Sequence, residues 1–279
     1  MTATLTAAQI EQFHRDGFLF PVEAMGHEEI RHYRRELETI EQRYSEENHE
    51  HAIGRYLLGG SANVVLPLAA QLCSHRGILD AVESLLGPDL LAWGISFFIK
   101  EPGDGKIVTW HQDLTYWGLG ETSDQVTAWL ALSPATPVSG CMRFVAGSHK
   151  NAVVPHRDTY SENNLLSRGQ EIAVEVKEEH ATNIELAPGQ LSLHHGLMFH
   201  SSGPNQSSDR RIGVAIRYVN PSVRQEVGAR DYALLVRGAD RVRNFIHFAA
   251  PARDFDPADL LLHEEILEDK AAVNFRDVS

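Results

Sequence analysis

The chain has 279 residues, of which 43% are hydrophobic and 23% are charged, and these values are typical of a globular protein. A formal charge of -13, from 25 Lys and Arg against 38 Asp and Glu, excludes nucleic acid and anionic membranes as the main partner. Two cysteines are too few for a disulfide scaffold, so we expect a cytoplasmic protein. We find neither a signal-peptide pattern nor an apolar run of membrane-spanning length. The expected partner is a small molecule, and the sequence predicts no oligomeric state.

The first 88 residues predict a mainly helical layer. Thr6 is placed to cap a helix over residues 7–16, and Gly17 is placed to end it. A longer polar helix is expected from residue 27 to about 47, and a third over residues 76–86. The long helix carries an apolar stripe at three- and four-residue spacing, formed by Ile30, Tyr33, Leu37 and Ile40. That stripe predicts one face packed on a core.

From residue 89 onward, short runs of β-branched and aromatic residues alternate with Gly, Pro, Asn and Ser. This pattern is typical of a β-sandwich or barrel. The predicted strands cover residues 91–100, 107–111, 126–133, 142–145, 172–176, 190–194 and 211–219. A last helix is expected from residue 257 to about 272. We therefore expect one domain over residues 1–279: a helical layer (1–88), a β core (89–220) and C-terminal strands and helix (221–279).

A histidine two residues before a carboxylate is a candidate metal-binding pair, since both side chains share one face of an extended strand. The pattern occurs five times, at His14 and Asp16, His27 and Glu29, His111 and Asp113, His156 and Asp158, and His263 and Glu265. The first two pairs and the last lie in predicted helices, where we expect solvated surface residues. The pair that begins at residue 156 lies in a predicted loop. The pair at 111 and 113 ends a predicted strand and is the one we favour.

A third ligand would complete a triad of two histidines and one carboxylate, which leaves iron positions open for cosubstrate and oxygen. The candidates are His194, His195 and His200. Downstream, alternation along residues 211–218 places one set of side chains on a single strand face, namely Arg211, Gly213, Ala215 and Arg217. This face is interpreted as a cavity wall. A buried arginine there carries a desolvation penalty that a bound carboxylate offsets.

These residues form a combination that resembles a known family. The run Trp110-His111-Gln112-Asp113, the segment from Gly140 to Lys150, and His200 followed eleven residues later by Arg211 are similar to the phytanoyl-CoA dioxygenase family of iron(II)- and 2-oxoglutarate-dependent oxygenases. The resemblance implies that His111, Asp113 and His200 bind Fe(II) and that Arg211 binds the distal carboxylate of 2-oxoglutarate. It also implies that Trp129 and Ser202 line the cosubstrate pocket, and that O2 is the second cosubstrate.

The same resemblance implies a mostly β fold with flanking helices, a double-stranded β-helix or jelly roll of the cupin type. The stretch from His195 to Asn205, followed by Arg210 to Gly213, also resembles the bacterial branch that contains aliphatic halogenases. Those enzymes have a small residue in place of the metal-binding carboxylate, and Asp113 departs from that pattern. Hydroxylation is therefore favoured. A halogenase of the same fold, a non-catalytic metal-binding jelly roll and a zinc hydrolase are the alternatives.

Arg217, on the face of Arg211, is free for a substrate if Arg211 binds the cosubstrate. Tyr116 and Trp117 would form the opposite wall. The expected substrate is a small anionic or zwitterionic molecule, amino-acid-like or phosphonate-like, with an unactivated C–H bond to hydroxylate. A long acyl-CoA chain would require a large apolar channel.

Structural interpretations compete at several positions. His194 and His195 are expected as core histidines satisfied by backbone groups, and Trp93, Phe97 and Phe98 as core packing. Arg217 has a structural carboxylate as its alternative partner. The segment of residues 147–150 is expected to be a simple turn instead of an anion cradle.

Overall fold

A computed structural model describes residues 4–45, 52–161, 163–166 and 168–274. Its helices are Ala7–Asp16 (α1), His27–Arg43 (α2), Ile53–Leu58 (α3), Ala62–Val65 (α4), Pro67–Cys73 (α5), Arg76–Leu86 (α6), Leu114–Trp117 (α7) and Pro257–Asn274 (α8). Its strands are Phe18–Glu23 (β1), Leu90–Lys100 (β2), Val108–His111 (β3), Gln125–Ala131 (β4), Met142–Val145 (β5), His156–Asp158 (β6), Gln170–Ile172 (β7), Ala181–Ile184 (β8), Gln190–His194 (β9), His200–Ser202 (β10), Arg211–Val219 (β11), Tyr232–Arg237 (β12) and Ile246–His247 (β13).

The strands form two main sheets. The major sheet has seven strands in the order β1-β9-β4-β11-β2-β12-β13, and the minor sheet has four in the order β3-β10-β5-β8. Strands β6 and β7 form a separate hairpin. All pairings are antiparallel except that of β12 with β13. Two antiparallel sheets with crossing connections are a jelly roll, and the predicted fold class is confirmed.

The two faces of the major sheet pack against different parts of the molecule. On β11, Ile212, Val214 and Ile216 are fully buried and pack with α2, α4, α5 and α6 in one large apolar cluster. The alternate residues point to the minor sheet, where Ala215 and Trp129 join a smaller cluster with Phe144. The predicted alternation is thus observed. The helices cover one face of the major sheet, and a cavity opens on the other.

The predicted helices are observed with one difference in length. Thr6 caps α1 through a capping box, and Gly17 ends the helix at φ 84°. Helix α2 ends at Arg43, earlier than expected, because Tyr44 leaves the helical conformation and its ring packs on Phe255 with centroids 4.7 Å apart. The expected last turn of this helix, near residue 47, lies outside the described residues.

Two strand predictions need correction. The strand expected at 172–176 is β7, which ends at Ile172. It stops because its partner β6 is preceded by Pro155, which accepts a bond from Ala173 but has no N–H with which to extend the pairing. His156 and Asp158, expected in a loop, are the ends of β6. The helical layer also contributes β1 to the edge of the major sheet.

His263, expected at the surface of the last helix, is only 4% exposed and packs against Tyr56 at 5.0 Å. The other two histidines expected at helix surfaces, His14 and His27, are exposed as expected. Cys73 and Cys141 are buried free thiols. Among the described residues no helix has the length and apolar character needed to cross a membrane.

Candidate metal and cosubstrate site

Two strands of the minor sheet bring the predicted ligands together. His111 is the last residue of β3, His200 is the first residue of β10, and the two are directly paired across the strands. Their rings lie 4.0 Å apart. With Asp113 they form the group of metal-binding side chains found in the described part of the chain, with ligand atoms within 4.8 Å of one another.

Asp113 reaches the site by a route that strand alternation did not predict. It lies past the end of β3 and has helical backbone angles, φ -62° and ψ -47°, immediately before α7. A turn, and not a shared strand face, brings its carboxylate to 3.4 Å from His111 Nε2. Between them, Gln112 is fully buried and bonds to the backbone at Val154 and Leu197. These bonds fix the turn.

Both histidines are held in the tautomer that a metal requires. His111 Nδ1 lies 2.9 Å from the carbonyl oxygen of Thr109, and His200 Nδ1 lies 3.0 Å from that of Met198. A carbonyl oxygen only accepts, so each Nδ1 carries the proton and donates it. Each Nε2 therefore keeps a free lone pair directed at the site.

The two oxygens of Asp113 have different surroundings. Oδ1 faces the Nε2 atoms of His111 and His200, at 3.4 and 3.9 Å. Oδ2 lies 3.5 Å from the hydroxyl of Thr127 and 3.7 Å from Nε2 of His194. Burial acts to raise the pKa of Asp113, but the nearby histidines outweigh it and hold the pKa well below its usual range. Burial lowers the pKa of His200. Ionised carboxylate and neutral imidazole are the forms that bind metal.

Arg211 is the first residue of β11 and is 1% exposed. Its Nε and Nη2 have no hydrogen-bond partner, and its guanidinium carbon lies 5.3 Å from the centre of the Trp129 ring. Burial lowers its pKa to about 10, so it is charged at neutral pH. A buried guanidinium without a carboxylate is costly to the folded protein. The end of the site around Arg211 therefore fits a carboxylate ligand.

Ser202 lies on β10, two residues after His200, and lines the same cavity as Arg211. Its Oγ accepts a bond of 2.7 Å from Nζ of Lys100, which also donates to the carbonyl of Gly203 at 2.6 Å. Lys100 is directly paired with Arg211 and is fully buried. Burial and then the charge of Arg211 lower the pKa of Lys100 to about 6. Sequence reasoning missed Lys100, although alternation along β2 places it on the same face as Ser96 and Phe98.

One cavity of about 660 Å³ contains the predicted site residues. The metal triad, Arg211, Trp129 and Ser202 line its inner part. Arg217, Tyr116 and Trp117 line it as well, and Arg217 stacks on Trp117 at 5.4 Å. Its near partner is the hydroxyl of Ser96, at 2.9 Å, and not a carboxylate. Trp93 and Phe98, expected as core packing, also line this cavity.

The predictions for the other histidines had different outcomes. His195 is a core histidine, since Leu197 N–H donates to its Nδ1 at 3.0 Å. His194 is not satisfied as expected, because neither ring nitrogen has a hydrogen-bond partner although the residue is fully buried and lines the cavity. His156 accepts from Gln112 N–H at 3.1 Å and donates to Val154. Residues 148–150 form a 3₁₀ turn after Gly147, as expected.

A jelly roll with two histidines and one carboxylate arranged in this way defines the class of mononuclear non-heme iron oxygenases. A family model described as phytanoyl-CoA dioxygenase (PhyH) matches residues 13–213. The chain belongs to this family, and the predicted resemblance is confirmed. A protein of the same fold has been solved with Fe(II) and alpha-ketoglutarate, and the donor atoms described above fit both groups.

Individual relatives agree with this assignment. A Caenorhabditis elegans protein named "Probable phytanoyl-CoA dioxygenase" is 27% identical over 160 residues, which are 55% of this chain and 51% of that protein. The apo structure of ThoJ, a non-heme monooxygenase, is 38% identical with a TM-score of 0.84, and the match covers 95% of this chain and 97% of ThoJ. CytC3, solved with Fe(II) and alpha-ketoglutarate, shares the fold at 22% identity and a TM-score of 0.69, over 92% of this chain and 97% of that one. The chain spans about half the length of the curated relatives it matches.

Proposed function

We propose that the protein is an iron(II)- and 2-oxoglutarate-dependent hydroxylase that oxidises an unactivated C–H bond of a small anionic or zwitterionic molecule. The observation that carries the proposal is the pairing of the triad with Arg211, a buried guanidinium with unpartnered nitrogens in the same cavity. A metal-binding jelly roll without catalysis, or a zinc hydrolase, has no use for that arginine. Asp113 fills the position that a halogenase leaves vacant.

Each residue has an assigned task. His111, Asp113 and His200 hold the iron through Nε2, Oδ1 and Nε2. Iron with 2-oxoglutarate and O2 supplies the oxidising chemistry, and 2-oxoglutarate leaves as succinate and carbon dioxide. Arg211 and the hydroxyl of Ser202 bind the distal carboxylate of the cosubstrate, with the Trp129 ring packed on the guanidinium. The Thr127 hydroxyl donates to Oδ2 of Asp113 at 3.5 Å, on the side away from the other ligands, and the His194 ring lies beside it without a hydrogen bond.

The outer part of the cavity is assigned to the substrate. Arg217 is placed to receive an anionic group, while Tyr116 and Trp117 pack on the carbon skeleton and exclude water. A volume of about 660 Å³ has room for the cosubstrate and a compact organic substrate together. A cavity for two small molecules of this kind does not require the long apolar channel that an acyl-CoA chain would need. The proposal includes a cytoplasmic location, which two buried free thiols support.

The test combines cosubstrate binding with turnover. We expect anaerobic calorimetry to detect 2-oxoglutarate binding to the metal-loaded protein, and a panel of amino acids and phosphonates to include a compound that stimulates succinate formation and gains one oxygen in mass. His111→Ala, Asp113→Ala and His200→Ala should each abolish stimulated succinate formation, because an open catalytic metal site needs all its ligands. His195→Ala is the matched control. Full turnover by His200→Ala, with loss in His195→Ala, would refute the third ligand.

A further inference from the structure

Two cationic side chains line the outer part of the cavity, at a distance from the cosubstrate end. Arg217 lies on the same face of β11 as Arg211 but six residues further along, which in an extended strand is about 20 Å. Lys270 enters the cavity from α8, a helix that sequence analysis did not connect with the site. This separation of the two backbone positions exceeds the length of a five-carbon diacid, which we assign to Arg211 and the metal.

Neutral groups hold both cations in place. Arg217 Nη1 donates to Ser96 Oγ at 2.9 Å, and its Nε is buried without a partner. Lys270 Nζ donates to Ser61 Oγ at 3.0 Å. Among the described residues, no carboxylate forms an ion pair with either side chain. Burial lowers the pKa of Arg217, and it lowers the pKa of Lys270 to about 8. Both charges thus lack the compensation that a buried cation requires.

A pair of tryptophans connects the two cations. The Trp93 and Trp117 rings lie 5.1 Å apart. The Arg217 guanidinium stacks on Trp117 at 5.4 Å, and Lys270 Nζ lies 4.8 Å from the centre of the Trp93 ring. Aromatic faces attract cations and keep them ordered, but they do not neutralise a charge. The arrangement therefore fixes two positive groups around an apolar floor.

Asp113, assigned above to the metal, is the acid whose field acts on Arg217, and it forms no ion pair with that side chain. Asp231 is the acid whose field acts on Lys270, and it is already engaged in hydrogen bonds. Its Oδ1 accepts from its neighbour Tyr232 N–H at 2.8 Å, and its Oδ2 accepts from Trp93 Nε1 at 2.8 Å and from Gln225 Nε2 at 3.1 Å. It influences Lys270 through its field without an ion pair. Its contacts orient Trp93. Asp231 thus supports the floor of the site and leaves the two cations available.

We propose that Arg217 and Lys270 form an oxyanion subsite that binds the carboxylate or phosphonate group of the substrate, so that the C-terminal helix helps to determine specificity. Two cations around one group match an anion with two or more acceptor oxygens. The tryptophan pair packs on the carbon atoms next to that anion. Calling the occupant the substrate rests on the proposed hydroxylase function, but the anion site itself does not.

The experiment uses phenylphosphonate and benzoate as probes, since each joins an oxyanion to a ring that fits an aromatic floor. Benzamide is the uncharged control. Binding is measured by anaerobic calorimetry on the full chain with Mn(II) and saturating 2-oxoglutarate, so that Arg211 is already occupied. We compare wild type with Lys270→Met, Arg217→Met and Lys106→Met, the last being a matched change at an exposed lysine. Lys270→Gln replaces the methionine variant if that variant does not fold.

We expect wild type to bind at least one oxyanion probe, and the variants at 270 and 217 to bind it at least tenfold more weakly. Lys106→Met should match wild type. The preferred probe then assigns carboxylate or phosphonate as the group recognised. Unchanged affinity in the Lys270 variant, equal binding of benzamide, or no binding of either oxyanion would overturn the proposal. Probe binding that depends on Lys270 without any stimulated succinate formation would instead reject the hydroxylase function and keep the subsite.

Discussion

Arg210 and Arg211 are neighbours in the chain with opposite surroundings. Arg210 binds Glu41 of α2 through two bonds of 2.8 and 2.9 Å and also contacts Glu101 at 2.7 Å. Its carboxylate partners are thus built into the fold. Arg211, one residue later on the other strand face, forms no ion pair with the described residues, and its Nε and Nη2 have no hydrogen-bond partner among them. The difference supports the proposal that Arg211, and not Arg210, binds the cosubstrate.

Replacing Arg211 by Lys should weaken 2-oxoglutarate binding by roughly tenfold or more, because the charge remains but the planar pair of donors is lost. Arg210→Lys should leave this affinity unchanged and reduce only stability, by about 1 kcal/mol or less, since its ion pairs are partly solvated. Calorimetric titration of 2-oxoglutarate into both Mn(II)-loaded variants checks the pair. Equal affinities in the two variants would contradict the assignment of Arg211.

Lys100 gives the cosubstrate end a titratable group. Burial, with the charge of Arg211, lowers its pKa to about 6, so the amine is mostly neutral at pH 7.5 before cosubstrate binds. A carboxylate placed between Arg211 and Ser202 favours the charged amine and raises this pKa. Binding should therefore take up a proton at Lys100. Uptake should fade as the pH falls through 6, where the amine is already charged.

Calorimetry in buffers of different ionisation enthalpy measures this proton. We expect wild type at pH 7.5 to take up about one more proton per 2-oxoglutarate bound than Lys100→Met does. Protons released or taken up elsewhere cancel in the comparison, and circular dichroism checks that the variant folds. The same uptake in both proteins would show that Lys100 does not respond to the cosubstrate.

At the scale of elements, the alternation of side chains along β11 gives the strand one face that packs on the helices and one face that lines the cavity. Its outward residues join the helical layer, and its inward positions contain two small residues, Gly213 and Ala215, between two arginines. The absence of a side chain at Gly213 is essential, since a Cβ there would lie 1.8 Å from Cζ2 of Trp129. Trp129 in turn packs on Arg211. Gly213 therefore sets the position of the ring that supports the arginine.

Gly213→Ala should displace Trp129, cost about 1–3 kcal/mol of stability by overpacking, and weaken 2-oxoglutarate binding several-fold. Mn(II) affinity should change little, because the triad lies on other strands. Gly203→Ala is the matched control, as a Cβ there meets nothing within 4 Å. Thermal unfolding and calorimetry separate the two effects. A Gly213→Ala variant with wild-type cosubstrate affinity would remove Trp129 from the argument.

The elements also show which residues of the candidate site could be predicted from the sequence. His111 and Asp113 were predictable from a short local pattern, and Arg211 from the alternation of one strand. His200 was separated from His194 and His195 only by the resemblance to a known family. The reason for selecting Asp113 as a metal ligand was partly wrong. A turn, and not the alternation of side chains along a strand, directs its carboxylate to the site. Lys270 was not predictable, because its contact with Trp93 joins positions 177 residues apart and depends on how α8 packs on the finished sheets. Helix α8 carries almost no amphipathic pattern to signal that contact.

At the scale of the whole molecule, folding and ligand binding draw on different parts of the chain. The large apolar cluster lies between the helices and the outer face of the major sheet. The proposed metal ligands lie on the other side of that sheet, His111 and His200 on the minor sheet and Asp113 in the turn that follows β3. The core is therefore complete without metal. We expect the chelator-treated protein to keep its secondary structure at ambient temperature. On heating it should unfold in a single cooperative transition.

Ligands should then add stability in two separable steps. A ligand at a hundred times its dissociation constant adds about 2.7 kcal/mol to the folded state, which for a domain of this size raises the unfolding midpoint by several degrees. Mn(II) should raise the midpoint of wild type once, and 2-oxoglutarate should raise it again only when metal is present. Arg211→Lys should keep the first increment and lose about half of the second or more, as a tenfold weaker affinity implies. Asp113→Ala should lose both, because the cosubstrate depends on a metal that the variant cannot hold. His195→Ala, changed beside the site, should keep both. A second increment without metal, or a full first increment in Asp113→Ala, would place the binding of one ligand outside the cavity built by His111, Asp113, His200 and Arg211.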